Sequence, residues 1–228
     1  MGMAFILGIK KGMTQLFQDD KVLGATVVEA GPCLIIDLKT KEKDDHQAVK
    51  VAFGKKKNIN KPLLGQIKDF DIKPRWVREF KIKVRPQSDS DLGSEKEKFK
   101  PGDIIKVDSF KEGEKVEIEG LSIGKGFQGV MKRHGFHGKD STHGTKHDKR
   151  MPGSIGATAP QRVFKGKRMG GRMGGEKVTI KNSEILKIEP EKNLLYLKGA
   201  VPGKRNALLK IISSDTNILM HTNYTNKE

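Results

Sequence analysis

Apolar and polar positions alternate with a period of two along much of this chain. Val49, Val51 and Phe53 flank Lys50 and Ala52, and Ile105 and Val107 flank Lys106. Val116 and Ile118 are set among Lys115, Glu117 and Glu119, and Val178 and Ile180 keep the same spacing. In extended backbone this places apolar side chains on one face and charges on the other, so each run predicts a strand half-buried on a sheet. Leu34-Ile35-Ile36 and Leu194-Leu195-Tyr196-Leu197 are unbroken runs and predict more deeply buried strands. Turn-forming residues separate the runs at Gly31-Pro32, Gly54, Pro101-Gly102-Asp103, Pro190 and Pro202-Gly203. Short strands at such spacing predict a small β-barrel or sandwich that manages its edges by closure.

Residues 55–100 break this rhythm and predict an α+β insertion. Pro74 suits a first helical turn and predicts a helix through Trp76, Val77 and Phe80. Ser88 to Lys98 is charged and nearly free of apolar residues, which predicts an exposed loop. The stretch from 214 to 228 is rich in Asn and Thr and predicts a flexible tail. The body is thus expected in three pieces, 1–54, 101–123 and 176–213.

The remaining piece, 124–175, shows neither period. It holds 12 Lys and Arg against two acidic residues, Asp140 and Asp148, a net +10 out of +17 for all 228 residues. It also holds 13 of the 26 glycines and four of the six histidines. Too little apolar surface is present to offset chain entropy with a core. A disordered basic linker and a solvated charged face are the plain readings. Against them stand the interspersed Phe127, Phe136, Ile155, Val163 and Phe164, the turn Pro152-Gly153, and the pairs Gly170-Gly171 and Gly174-Gly175. An extended loop along the phosphate backbone of folded RNA accounts for all of them. Lys and Arg displace counterions from phosphates, and Arg adds a planar fork. Glycine permits close backbone approach, while Phe and His can stack on unpaired bases. Folded back as two arms of about 25 residues, such a loop would reach at most roughly 80 Å.

Other partners and chemistries fit less well. No apolar run approaches the ~20 residues that cross a bilayer, and no long basic amphipathic helix is present to lie on one. The start lacks a signal peptide's charged head and cleavage site, and position six is Ile6 rather than the Ser or Thr of a myristoylation site. One cysteine, Cys33, cannot form an internal disulfide; a reducing cytoplasm is expected, with Cys33 a small core residue. Gly124-Lys125-Gly126-Phe127-Gln128-Gly129 matches the dinucleotide pattern G-x-G-x-x-G, but no βαβ unit surrounds it. Gly120-Leu121-Ser122-Ile123-Gly124 matches the hydrolase elbow G-x-S-x-G without the doubly wound sheet it needs. His134, His137, His143 and His147 have spacings that suit a metal, yet no cysteine lies near and the surrounding cations oppose one. No catalytic residue, metal, cofactor or small-molecule substrate is therefore expected.

An ordered series of motifs then carries a resemblance. Leu7-Gly8-Ile9-Lys10-Lys11-Gly12-Met13-Thr14, Glu29-Ala30-Gly31-Pro32-Cys33 and Arg78-Glu79-Phe80 come first. Gly124 to Gly129 with Lys132-Arg133, Thr142-His143-Gly144 and Arg150-Met151-Pro152-Gly153-Ser154-Ile155-Gly156 follow. Val163-Phe164-Lys165-Gly166-Lys167 and Lys198-Gly199-Ala200-Val201-Pro202-Gly203 close it. Nearly end to end the chain resembles the universal large-subunit ribosomal protein three family, in its bacterial form. The resemblance implies a mainly β fold, a small closed β-barrel body with an α+β insertion and a long extended basic loop. It implies binding to 23S rRNA, early subunit assembly, neighbouring large-subunit proteins as partners, and a loop approaching the peptidyl-transferase region, where RNA does the chemistry. The expected rRNA-binding residues are Lys10, Lys11, Lys125, Lys132, Arg133, His134, His143, Lys146, Lys149, Arg150, Arg162, Lys165, Lys167, Arg168 and Arg172. Some bacterial members methylate a glutamine just after the Ser-Ile-Gly motif; Ala157 stands there and Gln161 is out of register, so no such methylation is expected.

Overall fold

The computed structural model describes residues 4–18, 20–68, 70, 72–81 and 99–213. The loop expected at 88–98 and the tail expected at 214–228 lie outside the described residues. The chain is mainly β. Its elements are β1 (Phe5–Gln18), β2 (Lys21–Ala30), β3 (Cys33–Lys39), α1 (Lys41–Asp44), β4 (Ala48–Phe53), α2 (Lys61–Gln66), β5 (Trp76–Lys81), β6 (Ile104–Ile105) and β7 (Lys115–Leu121). They continue with β8 (Gly126–Gln128), α3 (Val130–His134), β9 (Gly171–Met173), β10 (Lys177–Glu189), β11 (Leu194–Lys198) and β12 (Leu208–Ser213). The chain divides into two compact units, one of residues 1–120 with 179–228 and one of 121–178.

In the first unit, antiparallel pairing joins β7 to β12, β12 to β1, β1 to β2, β2 to β11 and β11 to β10. Alternation in the sequence dictates which side chains the sheet buries. Val116 and Ile118 of β7, Leu195 and Leu197 of β11, and Leu209 and Ile211 of β12 are sealed from solvent, while the positions alternating with them, charged in β7 and mixed in β11 and β12, are less buried. Backbone bonds also join residues 113–114 to Ile185 just before β7: the Gly113 N–H donates to Ile185 O (2.8 Å), and the Ile185 N–H donates to Glu114 O (3.0 Å).

A second sheet has the order β5-β4-β3-β6. Its inner strands β3 and β4 contribute side chains to two apolar clusters, one from each face of the sheet. Cys33, Ile35, Val49, Val51, Phe53 and Phe80 join the main core, while Ile36 and Ala52 pack with Ile67 in a smaller cluster. Cys33 is the buried core thiol the sequence suggests; burial pushes its pKa up to about 12.

Two expectations fail here. The helix expected after Pro74 is instead strand β5, paired with β4 from Phe53↔Trp76 to Ala48↔Lys81. The Arg75 N–H donates to Phe53 O, so the ladder begins directly after the proline. Trp76 stacks on Phe53 at 5.8 Å between ring centroids, under the Arg75 guanidinium at 4.4 Å. A six-residue helix of Trp, Val and Phe has little to hold it, whereas those residues suit a strand with an open neighbour. The strand expected through Ile105 and Val107 ends at Ile105; Val107 opens a 3-10 turn, Val107–Ser109, whose Ser109 hydroxyl donates to Lys106 O (2.8 Å).

Candidate nucleic-acid interface

The second unit opens and closes as a narrow ribbon. Strand β8 pairs with β9 in the register Gly126↔Met173, Phe127↔Arg172 and Gln128↔Gly171, and the Lys125 N–H donates to Met173 O (2.9 Å). Gly174 makes the tight return possible. Its φ is +74°, and a Cβ there would lie 2.2 Å from Ile123 O, so only glycine fits. The ribbon also disposes of two enzyme-like motifs. The G-x-G-x-x-G glycines lie at one arm of it, with no βαβ unit. The Ser122 hydroxyl of G-x-S-x-G accepts from the Glu176 N–H (3.2 Å), while the Ser122 N–H donates to Glu176 O (2.8 Å). That hydroxyl is a structural brace.

Beyond β8 comes a single turn of helix, α3, capped by Gly135 in left-handed conformation. Five residues do not hold a helix alone. The turn is pinned because Val130 is buried and because Arg133 and His134 converge on one acceptor. Arg133 Nη1 donates to Met169 O at 2.8 Å, and His134 Nε2 lies 3.0 Å from the same oxygen. A carbonyl only accepts, so Nε2 carries the proton. Most of the Arg133 guanidinium donors stay unused.

The outer part does not form two simple arms. Residues 139–149 close a turn of their own: the Lys139 N–H donates to Lys149 O (3.2 Å) and the Lys139 ammonium pairs with Asp148 at 3.0 Å. Gly138 passes so close to Lys149 O that a Cβ would meet it at 2.7 Å. His143 sits at a left-handed position (φ +58°) within this turn, which also holds Lys146. Lys149 and Arg150 follow in a 3-10 turn, Asp148–Arg150. Arg162 lies over the Phe164 ring at 5.6 Å, and Lys165, Lys167 and Arg168 continue an irregular exposed stretch.

The electrostatic character follows from pairing. Of the twelve Lys and Arg in 124–175, Arg133, Lys139 and Arg162 contact groups of the protein itself. Among the described residues, the side chains of Lys125, Lys132, Lys146, Lys149, Arg150, Lys165, Lys167, Arg168 and Arg172 make no hydrogen bond or ion pair. Apolar groups are exposed among them, Phe127 at 79% and Phe164 at 55%. Among the described residues no group of three or more His, Cys, Asp or Glu is placed to hold a metal.

Lys10 and Lys11 lie elsewhere, at a bulge in β1 within the first unit. The Lys10 ammonium donates to Val201 O (2.8 Å) and Gly203 O (3.1 Å) and so ties down the 201–203 turn. Lys11 pairs with Glu29 at 2.5 Å. Sequence reasoning missed these internal partners, the Lys139–Asp148 closure and the role of Met169 O; all are contacts between distant positions that no local pattern announces.

A model of the family described as ribosomal protein L3 matches residues 90–193. The large ribosomal subunit protein uL3 of Carboxydothermus hydrogenoformans is 45% identical over 210 residues, 90% of this chain and 95% of that protein. The protein of the same name from Chlorobium limicola is 45% identical over 216 residues, 92% of this chain and 99% of the relative. The one from Thermotoga maritima is 42% identical over 214 residues, 93% and 98% of the two chains. The chain belongs to the ribosomal protein L3 family, uL3, in its bacterial form. The resemblance seen in the motifs is thereby established over about nine-tenths of the chain. Membership also bears out the expectation of a non-enzymatic protein, since the relatives are ribosomal proteins by name.

Proposed function

We propose that this protein is a structural constituent of the large ribosomal subunit in the bacterial cytoplasm, bound directly to 23S rRNA through residues 124–175. In this reading it supports early subunit assembly, neighbours other large-subunit proteins, and organises RNA near the peptidyl-transferase centre without catalysing a reaction. The observation that carries it is the set of nine cationic side chains left without protein partners in one glycine-rich segment. Cations in that state attract phosphate, and each contact releases counterions. The contact residues are Lys125, Lys132, Arg133, His134, His143, Lys146, Lys149, Arg150, Arg162, Lys165, Lys167, Arg168 and Arg172. Lys10 and Lys11 come second, because their ammonium groups already have partners in the protein.

The six-stranded sheet is read as a closed barrel. Its strand order brings β10 beside β7, and the bonds between Gly113–Glu114 and Ile185 support closure there. The domain reading is a body of 1–54, 101–123 and 176–213, an insertion of 55–100, the rRNA-binding loop of 124–175 and a tail of 214–228. No methyl is expected on Gln161, and the intact mass of the purified protein checks this.

Removing 125–175 tests the reading. The shortened chain is expected to keep its β-type circular dichroism and lose binding to 23S rRNA. Equal binding by the shortened chain would overturn the assignment.

A further inference from the structure

The first unit carries a second surface where unpartnered cations meet apolar side chains. An open cavity of about 440 Å³ lies beside α2. Buried Ile67, half-buried Phe70 and exposed Leu64 give it an apolar lining. Lys61, Lys68 and Lys73 stand exposed around it and make no hydrogen bond or ion pair among the described residues. Backbone bonds hold the lining in place: the Phe70 N–H donates to Ile67 O (3.0 Å), the Ile72 N–H to Phe70 O (2.8 Å) and the Lys56 N–H to Lys73 O (2.8 Å). From Lys55 to Lys73 the sequence has six Lys against two Asp, so the local field is positive.

We propose that this cavity receives a single unpaired RNA nucleotide, its base against Phe70 and Leu64 and its flanking phosphates on Lys61, Lys68 and Lys73. The proposal rests on the reading that the protein is bound to rRNA. An aromatic ring beside aliphatic carbon suits the flat face of a base, which every nucleotide presents. Lysine serves as a point-charge phosphate binder. The volume falls within the roughly 300–1,000 Å³ of small-ligand sites, enough for one nucleotide unit and too little for a duplex. An acidic protein segment would satisfy the lysines while leaving the aromatic lining without a matching surface.

Ultraviolet cross-linking of the full chain to protein-free 23S rRNA tests this. The expected result is a nucleotide adduct on the peptide that contains Phe70, lost in Phe70→Leu. Because that change touches packed side chains, a surface variant accompanies it. Lys68→Ala with Lys73→Ala is expected to make log affinity against log salt shallower by about 0.7 to 0.9 per lysine. Absence of the adduct together with an unchanged slope would overturn the proposal, as would cross-linking of the same peptide to another protein in the assembled subunit. Lys165→Ala with Lys167→Ala, run in the same assay, separates the two readings. If that pair weakens binding and the cavity pair does not, the cavity proposal alone fails; if neither does, the rRNA reading fails as well.

Discussion

Residues 121–178 bury one hydrophobic side chain, Val130, whereas the rest of the chain seals Phe5, Leu7, Ile35, Phe80, Ile118, Leu197 and Ile211 among many others. Charge is handled just as differently. In the first unit several cations find partners at home, Lys39 with Glu79 at 2.9 Å, Lys198 with Glu184 at 2.7 Å, Lys187 with Glu189 at 2.9 Å, and Lys10 on two carbonyls, the lysines around the α2 cavity being the exception. In the second, Lys139 pairs with Asp148, while nine of the twelve cations of 124–175 make no hydrogen bond or ion pair among the described residues. Its shape comes from backbone bonds, glycines and the Met169 carbonyl rather than from a core. The lesson is a division of labour within one chain. Apolar burial stabilises the first unit, and the second leaves most of its cations unpaired.

Four changes test that division. The largest effect is expected from Lys165→Ala, Lys167→Ala, Arg168→Ala and Arg172→Ala combined. Filter binding across a salt series should show a slope shallower by about 3, with the melting temperature unmoved. A shift in melting temperature would mean that these side chains also support folding. Next, Leu197→Ala empties a fully buried position of β11 and should cost about 2–5 kcal/mol in urea unfolding while leaving the salt slope unchanged. Lys10→Met removes the donor from Val201 O and Gly203 O and should cost about 1–3 kcal/mol. A salt slope reduced by that change would instead place Lys10 on phosphate. The smallest effect concerns Glu79, whose carboxyl is held below its usual range first by its bond to Lys39. A depressed folded pKa gives stability that is present above the unfolded value and lost as pH falls through the folded one. Glu79→Gln should therefore lower the urea midpoint slightly at neutral pH and flatten its fall on the acid limb.

Much of this was legible in the sequence because it is local. The alternation through Val116 and Ile118 and the run Leu194–Leu197 mark β7 and β11 directly, and the charge imbalance of 124–175 marks the segment without a core. β5 was not legible. Pro74 is compatible with a helix start, and what decides otherwise is the free edge of β4, which lies more than twenty residues earlier in the chain. Lys10 and Lys125 look alike as letters. Only tertiary structure brings Val201 and Gly203 to the first and leaves the second open. The nested turn of 139–149 was hidden for the same reason, since one carboxylate among many cations does not declare its partner.

The pairing of β1 with β12, from Phe5↔Ile212 to Ile9↔Leu208, has a consequence for biosynthesis. β1 is the earliest strand of the chain and β12 the last of the described strands, so this edge of the sheet forms only after nearly everything between them has been translated. Contacts of such long sequence separation slow folding and leave strand edges exposed in the meantime. The cationic segment emerges from the translating ribosome before β10, β11 and β12 exist. Until β12 is made, β1 and β7 each lack the partner that covers one edge, and pairing of those edges with another chain is the hazard of that interval.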